Sequence, residues 1–234
     1  MLDLILANGE VVDGTGRPRF RADVAIEGSG IAAVAPRIEP EGVPRIDIRG
    51  KVVTPGFIDL HSHSDLTFTL PLRRQASLLE GRVRQGITTE LLGNCGIGCA
   101  PVTEASRKEV RRVCGFITPD GVDWEWGGMA SYLDRLTRQG VLVNVATLLA
   151  HGPARAAAMG SGAGRPSGDE RRRLETEVRR GVEAGAFGVS FGLIYPPGQF
   201  ADTGELIGAA TASRAAGGDA VFHQRGSSRA TLLE

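Results

Sequence analysis

His61 and His63 stand one residue apart at the end of the run Pro55-Gly56-Phe57-Ile58-Asp59-Leu60. Side chains alternate faces along a β-strand, so two histidines at i and i+2 project the same way and can share one metal ion. Imidazole is the commonest metal ligand in proteins. His-x-His alone is a weak motif, but its position adds to it. Val52-Val53-Thr54-Pro55-Gly56-Phe57-Ile58 reads as a buried strand that would emerge into a cleft just where the histidines begin. Cys95 and His223 complete a set of nitrogen and sulfur donors with His61 and His63 that suits zinc, which accepts both. A thiolate can also bridge two ions. The plain alternatives are that Cys95 is a small buried residue and His223 a satisfied core histidine.

Asp59 and Asp65 flank the histidine pair and can orient an imidazole or position a substrate. Asp65 can equally cap a helix or sit solvated in a loop. His151 is open in the same way, as a strand-end histidine near the site or as a loop residue holding backbone groups. The three cysteines form no Cys-x-x-Cys pairs, which excludes a disulfide framework and a structural zinc knuckle and leaves Cys99 and Cys114 structural.

These residues need elements to position them. Residues 1 to about 50 read as a small β module: Leu2 to Ala7, a turn at Asn8-Gly9, Val11-Val12, Ala22 to Ile26, a turn at Gly28-Ser29-Gly30, and Ile31 to Val34. From residue 51 the pattern becomes an alternation. Strands are expected at Val52 to Leu60, Thr88 to Leu92, Val141 to Ala150, Phe187 to Tyr195 and Ala220 to Phe222. Helices are expected at Leu72 to Gln85, Glu104 to Val113, Met129 to Arg138, Asp169 to Ala184 and Gly204 to Ala216, with Ser167 and Glu170 forming a capping box for the fourth of them. Alternating strands and helices imply a parallel sheet. All four histidines, Cys95 and Tyr195 then fall at carboxyl ends of strands, the face on which a parallel α/β barrel builds its active site. Ligands spread over every strand favour that barrel over a doubly wound sheet, which uses only its switch point.

The remaining features narrow the partners. Lys plus Arg and Asp plus Glu each number 27, and the zero net charge argues against nucleic acid or an anionic membrane. The amino terminus lacks a basic n-region and no run is apolar enough to span a bilayer, so a soluble cytoplasmic protein is expected. Met159 to Pro166 is glycine-rich but fits neither phosphate-binding fingerprint and reads as a flexible connector; Asp169 to Arg173 reads as a solvated helix face.

Pro55-Gly56-Phe57-Ile58-Asp59-Leu60-His61-Ser62-His63 resembles the first-strand signature of the amidohydrolase superfamily. Gly93-Asn94-Cys95-Gly96, then Gly192-Leu193-Ile194-Tyr195-Pro196-Pro197-Gly198 with Glu205-Leu206, and Phe222-His223-Gln224-Arg225, resemble the D-aminoacylase (N-acyl-D-amino-acid deacylase) family in particular. That resemblance implies a metal-bearing (β/α)8 barrel, incomplete in this chain, joined to a small N-terminal β-sandwich module. The divisions would be residues 1–50, half of a composite β-sandwich, and 51–234, the first part of the barrel. It implies zinc-dependent hydrolysis of the amide bond of N-acyl-D-amino acids. Cys95 and His223 would hold one tight zinc ion and His61 and His63 a second, weaker position, with Cys95 standing where many relatives carry a carboxylated lysine. The expected fourth strand contains no lysine. Tyr195 and Arg225 are similar to substrate-contacting positions, and a guanidinium suits a substrate carboxylate.

The family's general-base aspartate would lie beyond Glu234, and the chain would stop at Leu232-Leu233-Glu234 inside a helix. A missing carboxyl-terminal half of the barrel, or self-association, then enters as a partner. Two other functions remain: a different cyclic-amide or dipeptide amidohydrolase on the same scaffold, and a catalytically inactive truncated chain.

Overall fold

The structure is a computed structural model that describes residues 1–160 and 162–228. Two compact units divide the chain, Met1–Gly56 and Phe57–Glu234.

The first unit is one five-stranded mixed sheet made of β1 (Leu4–Val11), β2 (Phe20–Glu27), β3 (Gly30–Ala35), β4 (Arg45–Asp47) and β5 (Val52–Val53). Its order is β3-β2-β1-β4, with β5 also on β1; β2 runs antiparallel to β1, while β4 and β5 run parallel to it. Ile5, Ala7 and Val11 alternate inward along β1 and pack near Ala25, Ala22 and Val24 of β2. Asn8-Gly9, expected as a turn, lies inside β1. Asn8 takes a φ of 66° and shifts the register between Leu6 and Gly9, so the dipeptide makes a bulge. Its amide and that of Ile38 donate to buried Asp23, which also pairs with Arg45 at 3.1 Å.

The second unit alternates. In chain order it holds β6 (Phe57–Asp59), α1 (Leu72–Val83), β7 (Ile87–Leu92), α2 (Arg107–Val113), α3 (Met129–Gln139), β8 (Asn144–Thr147), β9 (Leu149–Ala150), α4 (His151–Met159), α5 (Gly168–Glu183), β10 (Gly188–Gly192), α6 (Thr203–Ala215) and β11 (Asp219–His223). Strands β6-β7-β8 pair in parallel, and so do β9-β10-β11. Leu148 alone separates β8 from β9, and its amide donates to Leu92 O at 2.9 Å, so the two sheets follow one another as five parallel positions. Among the described residues the run is open, with β6 and β11 at its ends. Leu66, Phe68, Leu92, Trp126, Tyr132 and Phe191 centre the core.

The expected strand Val52 to Leu60 is two strands of different allegiance. Pro55 lacks an N–H and holds Thr54 extended, which interrupts pairing; Val52-Val53 joins β1, and β6 begins only where Phe57 N donates to Gly86 O. Ser167 caps α5 in both directions: its hydroxyl accepts from Glu170 N, and its own amide donates to Glu170 Oε2. Leu174, Val178, Gly181 and Val182 then recur at helical spacing as the buried face. Helix α4 was not expected. Pro153 is tolerated in a first turn, and Ala154 to Ala158 are strong helix formers. A flexible connector is expected in the glycine-rich segment that follows, but the carbonyls of Gly162 and Gly164 are held by Arg155. Leu232-Leu233-Glu234 lies outside the described residues. No helix among the described residues is long and apolar enough to cross a membrane.

Candidate metal centre

Cys95 sits in a tight loop after β7 that glycines make possible. Gly93 and Gly96 take φ of 72° and 63°. A Cβ on Gly93 would lie 2.1 Å from Leu148 O, and one on Gly96 would lie 2.4 Å from Gly192 N. Cys95 itself has a φ of 58°, a strained left-handed position for a side-chain-bearing residue. Ser190 on β10 fastens the loop from a strand two positions further along. Its hydroxyl donates to Gly93 O and accepts from Gly96 N at 3.0 Å, while Asn94 Nδ2 donates to Leu91 O.

The histidines arrive differently. Strand β6 stops at Asp59, so His61 and His63 lie beyond it and not on it, yet the two rings remain neighbours, edge to face with centroids 5.5 Å apart. Asp59 accepts from His61 N, and Ser62 N donates to Leu91 O. Asp65 is buried and accepts from Gly93 N at 2.9 Å through Oδ1, while its backbone carbonyl accepts from Tyr132 Oη. Burial pushes the Asp65 carboxyl up to about 7.

The candidate donor atoms converge. His61 Nε2 lies 3.1 Å from Cys95 Sγ, and His223 Nδ1, at the end of β11, lies 3.3 Å from the same sulfur. Potential donor atoms of His61, His63 and Cys95 all fall within 4.8 Å of one another. His63 Nδ1 is buried without a hydrogen-bond partner. Burial, followed by the charges of His61, Arg82 and His223, lowers the pKa of His63 and favours the neutral imidazole that metals bind. Burial raises the Cys95 thiol. Two or more imidazoles around one sulfur, with an orphaned ring nitrogen, fit a zinc-type ion.

Tyr195 lies past β10 in the turn that follows, its ring edge-on to His223 with centroids 5.1 Å apart. Arg225 donates to the carbonyls of Gln199 and Ala201, so part of its guanidinium secures the loop after Tyr195.

Two side-chain networks are not evident in the sequence. His151, Arg155 and Glu205 are all fully buried; His151 Nε2 and Arg155 Nε lie 2.8 and 2.9 Å from Glu205 Oε1. The signal available was Glu205 three residues after Asp202, whose carboxylate caps α6 at Glu205 N. The second network joins Ser62, Ser64, Arg82 and Glu90 behind the histidine pair. Its signal was the serine alternating with each histidine.

Parallel strands bring histidines and a cysteine to one point at their carboxyl ends, an α/β arrangement able to hold a metal ion. The chain belongs to the amidohydrolase family, whose profile matches residues 45–213, and its fold is a mixed α/β arrangement of that family. It is 39% identical over 224 residues to the N-acyl-D-glutamate deacylase of Alcaligenes xylosoxydans xylosoxydans, covering 96% of this chain and 44% of that protein. Among solved structures it is similar to the N-acyl-D-glutamate deacylase of Bordetella bronchiseptica, in complex with zinc and a phosphonate mimic of the tetrahedral intermediate. The TM-score is 0.83 at 32% identity, over 99% of this chain and 47% of that one. It is similar also to a D-aminoacylase studied for its binuclear metal centre, with a TM-score of 0.86 at 31% identity, over 100% and 47%. The chain therefore spans about half the length of the relatives it matches.

Proposed function

We propose that this chain carries the metal-binding part of a zinc-dependent hydrolase that cleaves the amide bond of N-acyl-D-amino acids to a carboxylate and a D-amino acid. The observation that carries this reading is the convergence of His61, His63 and His223 with Cys95, on a chain similar to deacylases over nearly all its length. Cys95 and His223 hold one ion tightly, and His61 and His63 form a second, weaker position. When bound, the metal supplies Lewis acidity toward an acyl carbonyl and an acidified water. Tyr195, beside His223, lines the place of the substrate, and the Arg225 donors not used on Gln199 and Ala201 pair with its carboxylate. The five parallel strands are the first part of a (β/α)8 barrel, and the mixed sheet is half of a β-sandwich.

Zinc content and hydrolysis of N-acetyl-D-amino acids test this in the protein and in Cys95→Ala. Loss of the tight zinc in the variant is expected; equal zinc in both would remove Cys95 from the site.

A second reading is a chain that binds metal without turning over substrate by itself. It is favoured by Phe57, Ile58, Val221 and Phe222, apolar side chains left exposed on the two outermost strands. Stoichiometric zinc with no hydrolysis of any N-acyl-D-amino acid would select it.

A further inference from the structure

His61 and His63 are carried by a segment that belongs to no helix or strand, so its shape is decided by the bonds its neighbours make. Ser62 and Ser64 alternate with the two histidines, and both residues are buried, their hydroxyls hydrogen-bonded to one another. Glu90, on β7, is 1% exposed; Arg82, on α1, is 40% exposed. Arg82 Nη1 reaches three acceptors: Ser62 Oγ at 2.8 Å, Ser64 Oγ at 2.6 Å and Glu90 Oε2 at 2.7 Å. Ser62 Oγ in turn donates to Glu90 Oε2 at 2.5 Å and accepts from Ser64 N at 3.2 Å. One guanidinium nitrogen and one carboxylate oxygen thus fix both serines, and with them the backbone between the two ring-bearing residues. A charge-assisted network of this kind is stronger and more directional than hydrogen bonds between neutral groups.

We infer that Arg82 and Glu90 are positioning residues for the metal ligands. They set the spacing and direction of His61 and His63 from behind, through Ser62 and Ser64, without touching the metal or the substrate. The inference rests on the reading of His61, His63 and Cys95 as ligands. Lysine is a poor replacement for Arg82, because all three contacts converge on Nη1, which lies one bond further along its side chain than a lysine ammonium reaches. The same logic makes Ser62 and Ser64 the intermediaries, a role that a bare β-turn would not need.

Zinc affinity, measured by competition with a chromophoric chelator, and thermal midpoint together test it. The set is the protein, Cys95→Ala, Arg82→Met, Arg82→Lys, the Ser62→Ala/Ser64→Ala double variant, and Arg84→Met as a control at the exposed carboxyl-terminal cap of the same helix. Arg82→Met and the serine double variant are expected to bind zinc roughly tenfold or more weakly, in the range typical for groups that orient metal ligands. Arg82→Lys keeps the charge and recovers the thermal midpoint but not the affinity, and Arg84→Met binds as the parent does. The serine variant removes no charge, so it remains informative if Arg82→Met fails to fold. Parental affinity in both the serine variant and Arg82→Lys overturns the positioning role while Cys95→Ala still loses zinc. Equal zinc binding by the parent and Cys95→Ala overturns the ligand reading itself, and this inference with it.

Discussion

Cys95 is held by backbone: three positive φ angles in four residues, and glycines against which neighbouring carbonyls and amides are closed to van der Waals distance. His61 and His63 are held by side chains, with Arg82, Glu90 and two serines doing for a coil segment what hydrogen-bond ladders do for a strand. The difference matters for a metal centre. A backbone-built loop has one shape or none, so a fault in it unfolds the neighbourhood. A side-chain network can loosen by tenths of an ångström and leave the fold intact, so a fault there shows first in ligand geometry.

That contrast can be broken or sharpened by substitution. The largest effect is expected at the sealed network, where Glu205→Ala leaves Arg155 and His151 buried without their carboxylate and costs about 3–5 kcal/mol in urea unfolding. A loss under 1 kcal/mol would mean that burying a side-chain network does not make it indispensable. Next comes Gly192→Ala. A Cβ there would lie 1.8 Å from Cys95 O, backbone that cannot step aside, and about 3 kcal/mol of destabilisation is expected. Should this variant unfold like the parent while losing zinc, the backbone-built side would be the adjustable one and the contrast would reverse.

Ser190→Ala is intermediate. It strips the Cys95 loop of an acceptor for Gly96 N and a donor to Gly93 O, and a cost of about 2 kcal/mol should appear in the same unfolding measurement. The smallest effect lies in the amino-terminal sheet. Burial would raise the Asp23 pKa, but the amides of Asn8 and Ile38 and the Arg45 guanidinium outweigh it, so the folded pKa lies below the ordinary 3.8. The stability this supplies is fully present above the unfolded pKa and is lost as pH falls through the lower folded value. Thermal midpoints of the parent and Asp23→Asn should therefore differ at pH 6 and begin to converge only below about pH 4. A gap that persists undiminished at pH 2.5 would show that the carboxylate's charge is not what the variant lacks.

The alternation of strands and helices was legible because apolar period and turn residues agree over Ile87–Leu92, Met129–Gln139 and Gly168–Glu183. The candidate ligands were legible because each follows such a strand. What the sequence concealed were departures imposed by single residues or by distant partners. Pro55 splits one apolar run between two sheets, and Asn8-Gly9 reads as a turn in isolation but forms a bulge when β2 and Asp23 lie alongside. Gly152-Pro153 looks like a helix breaker although its place in a first turn removes the penalty. Arg82 and Glu90 are eight residues apart on a helix and a strand, and nothing in their spacing tells that both address the serines that alternate with the histidines.

The Ser190 and Asp65 contacts also shield loop amides from solvent. Amides in loops ordinarily exchange with solvent hydrogen quickly, but Gly93 N and Gly96 N donate to buried side-chain oxygens rooted elsewhere in the unit. Their deuterium uptake should be governed by opening of the β7 and β10 region as a whole, placing both amides among the slow-exchanging ones. The loop around Cys95 would then rank, in exchange lifetime, with the strands on either side of it.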